Sequence, residues 1–245
     1  MNNKFNDRAW RRAILEKNNL SEGVYDQGIF KAVFTAGGPG SGKSFTASAL
    51  FGIPTTMPFV SADGLKGVNS DSTFEAYLKQ AGLGADMEKM GPEDYAKAQN
   101  LRATAKSVTA KRMAGYINNK LGMLIDGTGK NFAKVEKKQK LLKSLGYDCY
   151  MIFVNTSLQV ALERNKKRAR VVPEKMVKQF WQEVQNNLGK FQSLFGRSNI
   201  LVVDNSEQKK FPSEVIKASN HFVRKPLKNH VAKAWIKKEL ELRKK

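Results

Sequence analysis

Gly37-Gly38-Pro39-Gly40-Ser41-Gly42-Lys43-Ser44 is the stretch that decides how this chain is built. Before it runs the apolar segment Ile29-Phe30-Lys31-Ala32-Val33-Phe34-Thr35, and after it the helix-like Ser44-Phe45-Thr46-Ala47-Ser48-Ala49-Leu50. Strand, glycine-rich turn and helix in that order make a Walker A phosphate-binding loop. The glycines let successive backbone N–H groups turn inward on a phosphate. The helix that follows presents its positive dipole end to the same anion. Lys43 can reach β- and γ-phosphates as a point charge, and the Ser44 hydroxyl can complete a Mg²⁺ shell. By chance the spelling turns up in roughly one chain in a hundred of this length, and the flanking strand and helix make chance a poor explanation. The residues expected to hold ATP are therefore Gly38, Pro39, Gly40, Ser41, Gly42, Lys43, Ser44 and Phe45.

Working outward, 245 residues suffice for one substantial core. An apolar content of 41% with 9% aromatics suits a globular protein, and no apolar run approaches the ~20 residues of a membrane span. The start, Met1 to Arg8, lacks the apolar centre of a signal peptide. One cysteine, Cys149, excludes an intrachain disulfide, and its apolar setting predicts a buried free thiol. With only His221 and His230 beside it, a zinc site is not expected, and a reducing, cytoplasmic setting is. The formal charge of +21 favours polyanions, so a nucleic acid or nucleotide derivative is expected as partner beyond ATP, and no membrane. A lysine-rich solvated surface explains the charge equally simply.

The rest of the chain alternates apolar runs with helical periodicity. Residues 1–28 read as a leader helix with an apolar stripe of Trp10, Ile14 and Leu15. Leu65 to Asp71 reads as a second strand ending in a carboxylate, with Asp71 or Ser72 capping a helix to about Gln80. Pro92-Glu93-Asp94 opens a long helix to about Asn119. Lys120 to Asp126, Tyr147 to Val154 and Asn199 to Asp204 complete a set of about five strands. Between them, Leu158 to Arg170 is helical and basic, and Val172-Pro173-Glu174 starts another helix. Strands alternating with helices predict a parallel sheet covered on both faces. From residue 206 on, twelve lysines and arginines face four acids, and Val231, Trp235 and Leu240 suggest one amphipathic helix. That helix is either solvated or a contact for nucleic acid or a protein partner.

Three groups of residues speak to chemistry beyond phosphate binding. Asp71 stands where a kinase needs a group to orient the acceptor hydroxyl, although a helix cap explains it too; Asp63, before a glycine in a turn, is a weaker candidate. Asp126-Gly127-Thr128-Gly129-Lys130 follows an apolar strand as a Walker B acid does, so Asp126 can hold a metal through water and Thr128 a substrate. A simple strand-end turn accounts for the same residues. Arg164-Asn165-Lys166-Lys167-Arg168-Ala169-Arg170 puts five cations in seven residues, suited to a lid that meets developing phosphoryl charge, or to a solvated helix face.

These residues together carry a resemblance. Arg164 to Arg168 followed by Val172-Pro173 resembles the lid of bacteriophage polynucleotide kinases, and Val68-Asn69-Ser70-Asp71 the strand ending in their general base. Leu124-Ile125-Asp126-Gly127-Thr128-Gly129, with Leu145-Gly146-Tyr147 after it, resembles zeta toxin kinases. The likeness spans about residues 30–205. It departs from those families in having Asp126 for their usual Glu, Lys130 near their arginine, and no arginine motif after Asp71. The resemblance implies an α/β fold, a P-loop NTPase three-layer sandwich, with a kinase domain at 29–205; periodicity and composition set a leader at 1–28 and a basic extension at 206–245 beside it. Within the domain, a lid covers about 164–172, and a helical insertion at about 74–119 is a further departure from the compact polynucleotide kinases. The resemblance implies an ATP- and Mg²⁺-dependent kinase with Lys43, Asp71 and Arg168 as catalytic residues, and Arg164 and Arg170 as further lid positions. Ser44 and Asp126 would organise the metal, and Asp71 and Thr128 would meet the substrate. The acceptor would be a nucleic-acid or nucleotide hydroxyl or a nucleotide-sugar. The alternative from another class is an ATP-hydrolysing nucleic-acid-binding or assembly protein with no small acceptor.

Overall fold

The computed structural model describes residues 23–51, 64–86, 89–168, 171–207, 211 and 213–243. The expected leader stripe at Trp10, Ile14 and Leu15, Asp63 and Arg170 lie outside the described residues.

Five apolar segments become strands: β1 Lys31–Ala36, β2 Lys66–Val68, β3 Met123–Ile125, β4 Asp148–Asn155 and β5 Ile200–Asp204. They form one sheet in the order β2-β3-β1-β4-β5, and each neighbouring pair is parallel. The central strand β1 is buried along its whole length, and four of its six residues are apolar, Lys31 and Thr35 being the exceptions. Side chains alternate between two faces. Ala32, Phe34, Met123, Ile125, Cys149, Met151 and Phe153 belong to one core cluster, whereas Val33, Leu124, Tyr150, Ile152 and Val154 belong to another.

Each face has its own helices. Helix α1 (Lys43–Phe51) brings Leu50 and Phe51 to the second cluster. Helices α4 (Phe132–Ser144) and α6 (Glu174–Phe195) bring Leu142, Val184 and Phe191 to the first. The chain leaving β1 therefore crosses one face, and the chain leaving the adjacent β3 crosses the other. Their divergence opens a crevice at the carboxyl ends of β1 and β3, where open α/β sheets bind ligands.

Between β2 and β3 stand α2 (Asp71–Gln80) and α3 (Pro92–Asn118), which bury Phe74, Leu78, Ala98 and Ala105 against each other in a separate small core. Helix α5 (Leu158–Lys166) follows β4 and stops short of the expected Arg170, with Lys167 as its C-cap.

The C-terminal region holds two helices where one was expected. Helix α7 (Ser213–Arg224) inserts Phe222 and Val223 into the second cluster, with Phe222 stacked on Tyr150 at 4.7 Å. Helix α8 (His230–Leu242) meets the first cluster through Ala232, Trp235 and Ile236, and Trp235 stands edge-on to Phe30 at 5.5 Å. Val231, expected on that apolar stripe, is exposed. The connection between α7 and α8 is fixed to the base of the sheet. The buried Lys31 ammonium donates to the Lys225 carbonyl and lies 3.5 Å from the Asp148 carboxylate, which accepts the N–H groups of Lys228 and Asn229.

Candidate active site

The phosphate loop spans the gap between β1 and α1. Gly40 and Gly42 have φ of +78° and +83°, the left-handed region that side chains with a Cβ avoid. Space demands glycine there as well. A Cβ on Gly40 would stand 2.2 Å from the Ala161 carbonyl oxygen, and one on Gly42 would stand 2.2 Å from Asn205 Nδ2. The loop is thus pressed against α5 and against the end of β5. Hydrogen bonds tie it to the turn after β3 and to the end of β5: Gly37 N–H donates to the Thr128 carbonyl at 3.0 Å, and Asn205 Nδ2 donates to the Ser41 carbonyl at 2.8 Å. A glycine loop held in place this way before a helix N-terminus fits the phosphates of a nucleotide.

Lys43 opens α1, and its ammonium donates to the carbonyls of Gly37 and Gly38 at 2.8 and 3.4 Å. Burial lowers its pKa; the Asp126 carboxylate opposes that, the Arg168 guanidinium adds to it and Asp71 opposes it. Three of the groups singled out from sequence therefore lie close enough to Lys43 for their charges to act on it. Residues 71, 126 and 168 come from three different segments, and the sheet brings them to one end of the molecule.

Asp126 directly follows β3 and has fixed partners on both oxygens. Thr35 Oγ1 donates to Oδ1 at 2.7 Å, and Asn69 Nδ2 donates to Oδ2 at 3.0 Å. Both partners follow from register. Phe34 and Val68 each pair with Ile125, so Thr35 and Asn69 flank the next residue, Asp126. Among the described residues no three His, Cys, Asp or Glu side chains gather into a metal site. Mg²⁺ does not need one, because it keeps several waters and binds through one or two carboxylates plus substrate phosphates. The exposed Ser44 hydroxyl at the start of α1 and the Asp126 carboxylate, which retains spare lone pairs, fit that mode.

Asp71 is placed differently from the sequence reading. Strand β2 ends at Val68, and Asp71 is the first residue of α2, with Ser70 as the N-cap. The capping role considered for Asp71 falls instead to Asn69, whose Oδ1 accepts the Asp71 N–H at 2.7 Å.

Arg164 and Arg168 part company. Arg168 is exposed at the end of α5, near Lys43. Arg164 points back toward β5: its Nη2 donates to the Ser206 carbonyl at 3.3 Å, and its Nη1 is buried near Gly42 without a hydrogen-bond partner. Phe45 is exposed and rests against Phe211. Thr128 contributes its carbonyl to the phosphate loop, and the turn that bears it is held by Asn187, whose Nδ2 donates to the carbonyls of Gly129 and Lys130.

Sequence reading assigned no role to Thr35, Asn69, Asn187 or Asn205. Thr35 was legible as the one polar residue closing an apolar strand, and Asn69 as a turn former two residues ahead of an acid. Asn187 and Asn205 carried no local signal.

Comparison with known proteins bears on the fold and the family. In fold the chain is similar to AvrRxo1-ORF1:AvrRxo1-ORF2, solved with sulphate ions, with a TM-score of 0.55, 13% identity, and 82% of this chain matched to 64% of that one. It is also similar to a structure from the PezAT chromosomal toxin-antitoxin system of Streptococcus pneumoniae, with a TM-score of 0.50, 13% identity, and coverage of 99% and 98%. A gluconokinase from Sinorhizobium meliloti 1021 has a TM-score of 0.44 at 14% identity, with 88% and 98% covered. No curated protein sequence matches the chain significantly. The AAA domain family, however, matches residues 33–188, more than half of the chain, from the heart of β1 to the middle of α6. With a phosphate loop on β1 and an acid after β3 inside that span, this chain belongs to the AAA domain family.

Proposed function

We propose that the protein is an ATP- and Mg²⁺-dependent phosphotransferase that passes the γ-phosphate to a hydroxyl of a nucleic acid, nucleotide or nucleotide-sugar. The observation that carries this reading is the convergence of Lys43, Asp71, Asp126 and Arg168 at one end of the sheet. A protein that only holds a nucleotide needs the loop, Lys43 and an acid for the metal. A carboxylate at the start of α2 and an arginine at the end of α5 are what transfer adds.

In this reading the loop amides and Lys43 hold the β- and γ-phosphates. Mg²⁺, held by Ser44 and through water by Asp126, would supply charge neutralisation on those phosphates. Asp71 orients the acceptor hydroxyl and takes its proton as the new oxygen–phosphorus bond forms. The bond from the γ-phosphorus to the bridging oxygen breaks, and that oxygen leaves with ADP. Arg168 meets the charge that develops on the transferred oxygens. The net charge of +21 supports a polyanionic acceptor.

The test is transfer of radiolabelled γ-phosphate to 5′-hydroxyl oligonucleotides, nucleosides and UDP-sugars, with wild type and Asp71→Asn. Wild type is expected to label one class, and the variant to lose about 10²–10⁴-fold in rate while still binding ATP. A folded, ATP-binding preparation that labels none of them defeats the acceptor assignment. Phosphate release stimulated by nucleic acid and unchanged in the variant would replace it with an ATP-hydrolysing nucleic-acid-binding protein.

A further inference from the structure

Asn69 lies between the last residue of β2 and the N-cap of α2, half-buried, and its carboxamide is used at both ends. Oδ1 accepts the Asp71 N–H at 2.7 Å, and Nδ2 donates to Asp126 Oδ2 at 3.0 Å. The orientation of the amide is forced by its neighbours, since a backbone N–H requires an acceptor and a carboxylate requires a donor. The backbone around it is equally tied. Asp126 N–H donates to the carbonyl of Val68, and the Thr109 hydroxyl of α3 lies 3.5 Å from the carbonyl of Asn69. On its other oxygen Asp126 is held by Thr35, at the end of the strand that carries the phosphate loop. One amide thus links the start of α2, with Asp71 on it, to the carboxylate beside the phosphate loop.

Few side chains can do this. Aspartate in its ionised form offers no donor and would set a second negative charge against Asp126. Serine keeps an oxygen for the Asp71 N–H but is too short to reach across. Leucine matches asparagine in size and satisfies neither group.

We infer that Asn69 is a positioning residue that holds the Asp126 carboxylate and the start of α2, hence Asp71, in fixed relation across the phosphate loop. The inference rests on the phosphotransferase reading above. Both ends of the Asn69 carboxamide are taken up by protein groups. It acts by keeping the metal-side carboxylate and the acceptor-side carboxylate aimed together, as outer partners of metal-binding carboxylates do.

Asn69→Ser removes one arm of the link and Asn69→Leu removes both. For each protein, three quantities would be measured. They are the Mn²⁺ affinity of the ADP complex by electron paramagnetic resonance, the Mg²⁺ concentration giving half-maximal ATP turnover, and the stoichiometry of ATP binding in EDTA. For Asn69→Ser the expected result is Mn²⁺ affinity weakened and the Mg²⁺ requirement raised by ~10–100-fold, with ATP stoichiometry unchanged. For Asn69→Leu the same shift is expected together with a lower kcat at saturating Mg²⁺, because the start of α2 is also freed. A protein that had merely lost part of its folded fraction would show reduced stoichiometry and an unmoved Mg²⁺ requirement. Wild-type metal affinity and Mg²⁺ dependence in Asn69→Ser overturn the inference, as does a drop in ATP stoichiometry that accounts for the whole loss. If wild type itself neither turns over ATP nor binds Mn²⁺ with ADP, the phosphotransferase reading fails, and the inference goes with it.

Discussion

Gly42→Ala should weaken nucleotide binding through a collision that can be traced atom by atom. Two effects add. At φ of +83° alanine suffers the left-handed penalty, about 1–2 kcal/mol. Its Cβ would also stand 2.2 Å from Asn205 Nδ2, so the amide has to move and give up its 2.8 Å bond to the Ser41 carbonyl. That carbonyl is then left buried and unpaired, which costs about 1–3 kcal/mol. The sum is roughly 2–5 kcal/mol. If the loop relieves the strain by leaving its binding geometry, ATP must restore that geometry, and affinity falls by about 30-fold or more at 1.4 kcal/mol per decade.

A double-mutant cycle separates the two effects. Asn205→Ala alone should cost about 1–3 kcal/mol for the unpaired carbonyl. Adding Gly42→Ala on top should then cost only the backbone penalty, since the obstructing amide is gone. Nucleotide affinity measured with a fluorescent ATP analogue, alongside urea unfolding of all four proteins, gives the coupling. A coupling of at least about 1 kcal/mol is expected, whereas effects that add within ~0.5 kcal/mol would refute the contact. Wild-type ATP affinity in Gly42→Ala would refute the reasoning altogether.

Three further outcomes follow from buried groups. Because burial lowers the pKa of Lys43, kcat/KM for ATP should decline on an alkaline limb below the ordinary lysine value of 10.5, and that limb should vanish in Lys43→Arg; a limb retained in the variant would assign it elsewhere. Lys31→Met removes the ammonium from Asp148, Tyr150 and Lys225, and chemical denaturation should register a loss of about 3 kcal/mol. An unchanged denaturation midpoint would mean that this pair contributes nothing to anchoring the C-terminal helices. Burial pushes the Cys149 thiol up to about 12, so a thiol reagent should label it only on unfolding, with a rate that tracks denaturant. Rapid labelling of the native protein would contradict its buried position.

Much of this molecule could be read without coordinates wherever one short segment carries its own reason. The loop at 37–44 is such a case, because phosphate geometry demands glycines, a lysine and a hydroxyl at fixed spacing. The strands could be read because a parallel sheet covered on both faces leaves strand centres such as Ala32 to Phe34 and Cys149 to Val154 apolar. The long helix α3 was announced by a proline and two acids in its first turn. Boundaries were less secure: Asp71 looked like a strand end, but β2 is only three residues long, and the turn at Asn69 and Ser70 comes first. The basic C-terminal region hid α7, whose Val215, Phe222 and Val223 cover a face that only the assembled sheet creates.

By itself, then, the sequence determined that a phosphate is held between a strand and a helix, that an acid follows a second strand, and that the surface favours anions. Tertiary structure decided which charged groups gather around Lys43 of that loop. Residues 43, 71, 126 and 168 are far apart along the chain, and only the strand order β2-β3-β1-β4-β5 sets their segments side by side. It also decided how they are held. Hydrogen bonds such as Asn69 to Asp126 and Asn205 to Ser41 join positions 57 and 164 residues apart. No local periodicity can encode such a bond, because its partner is chosen by register and packing across the sheet.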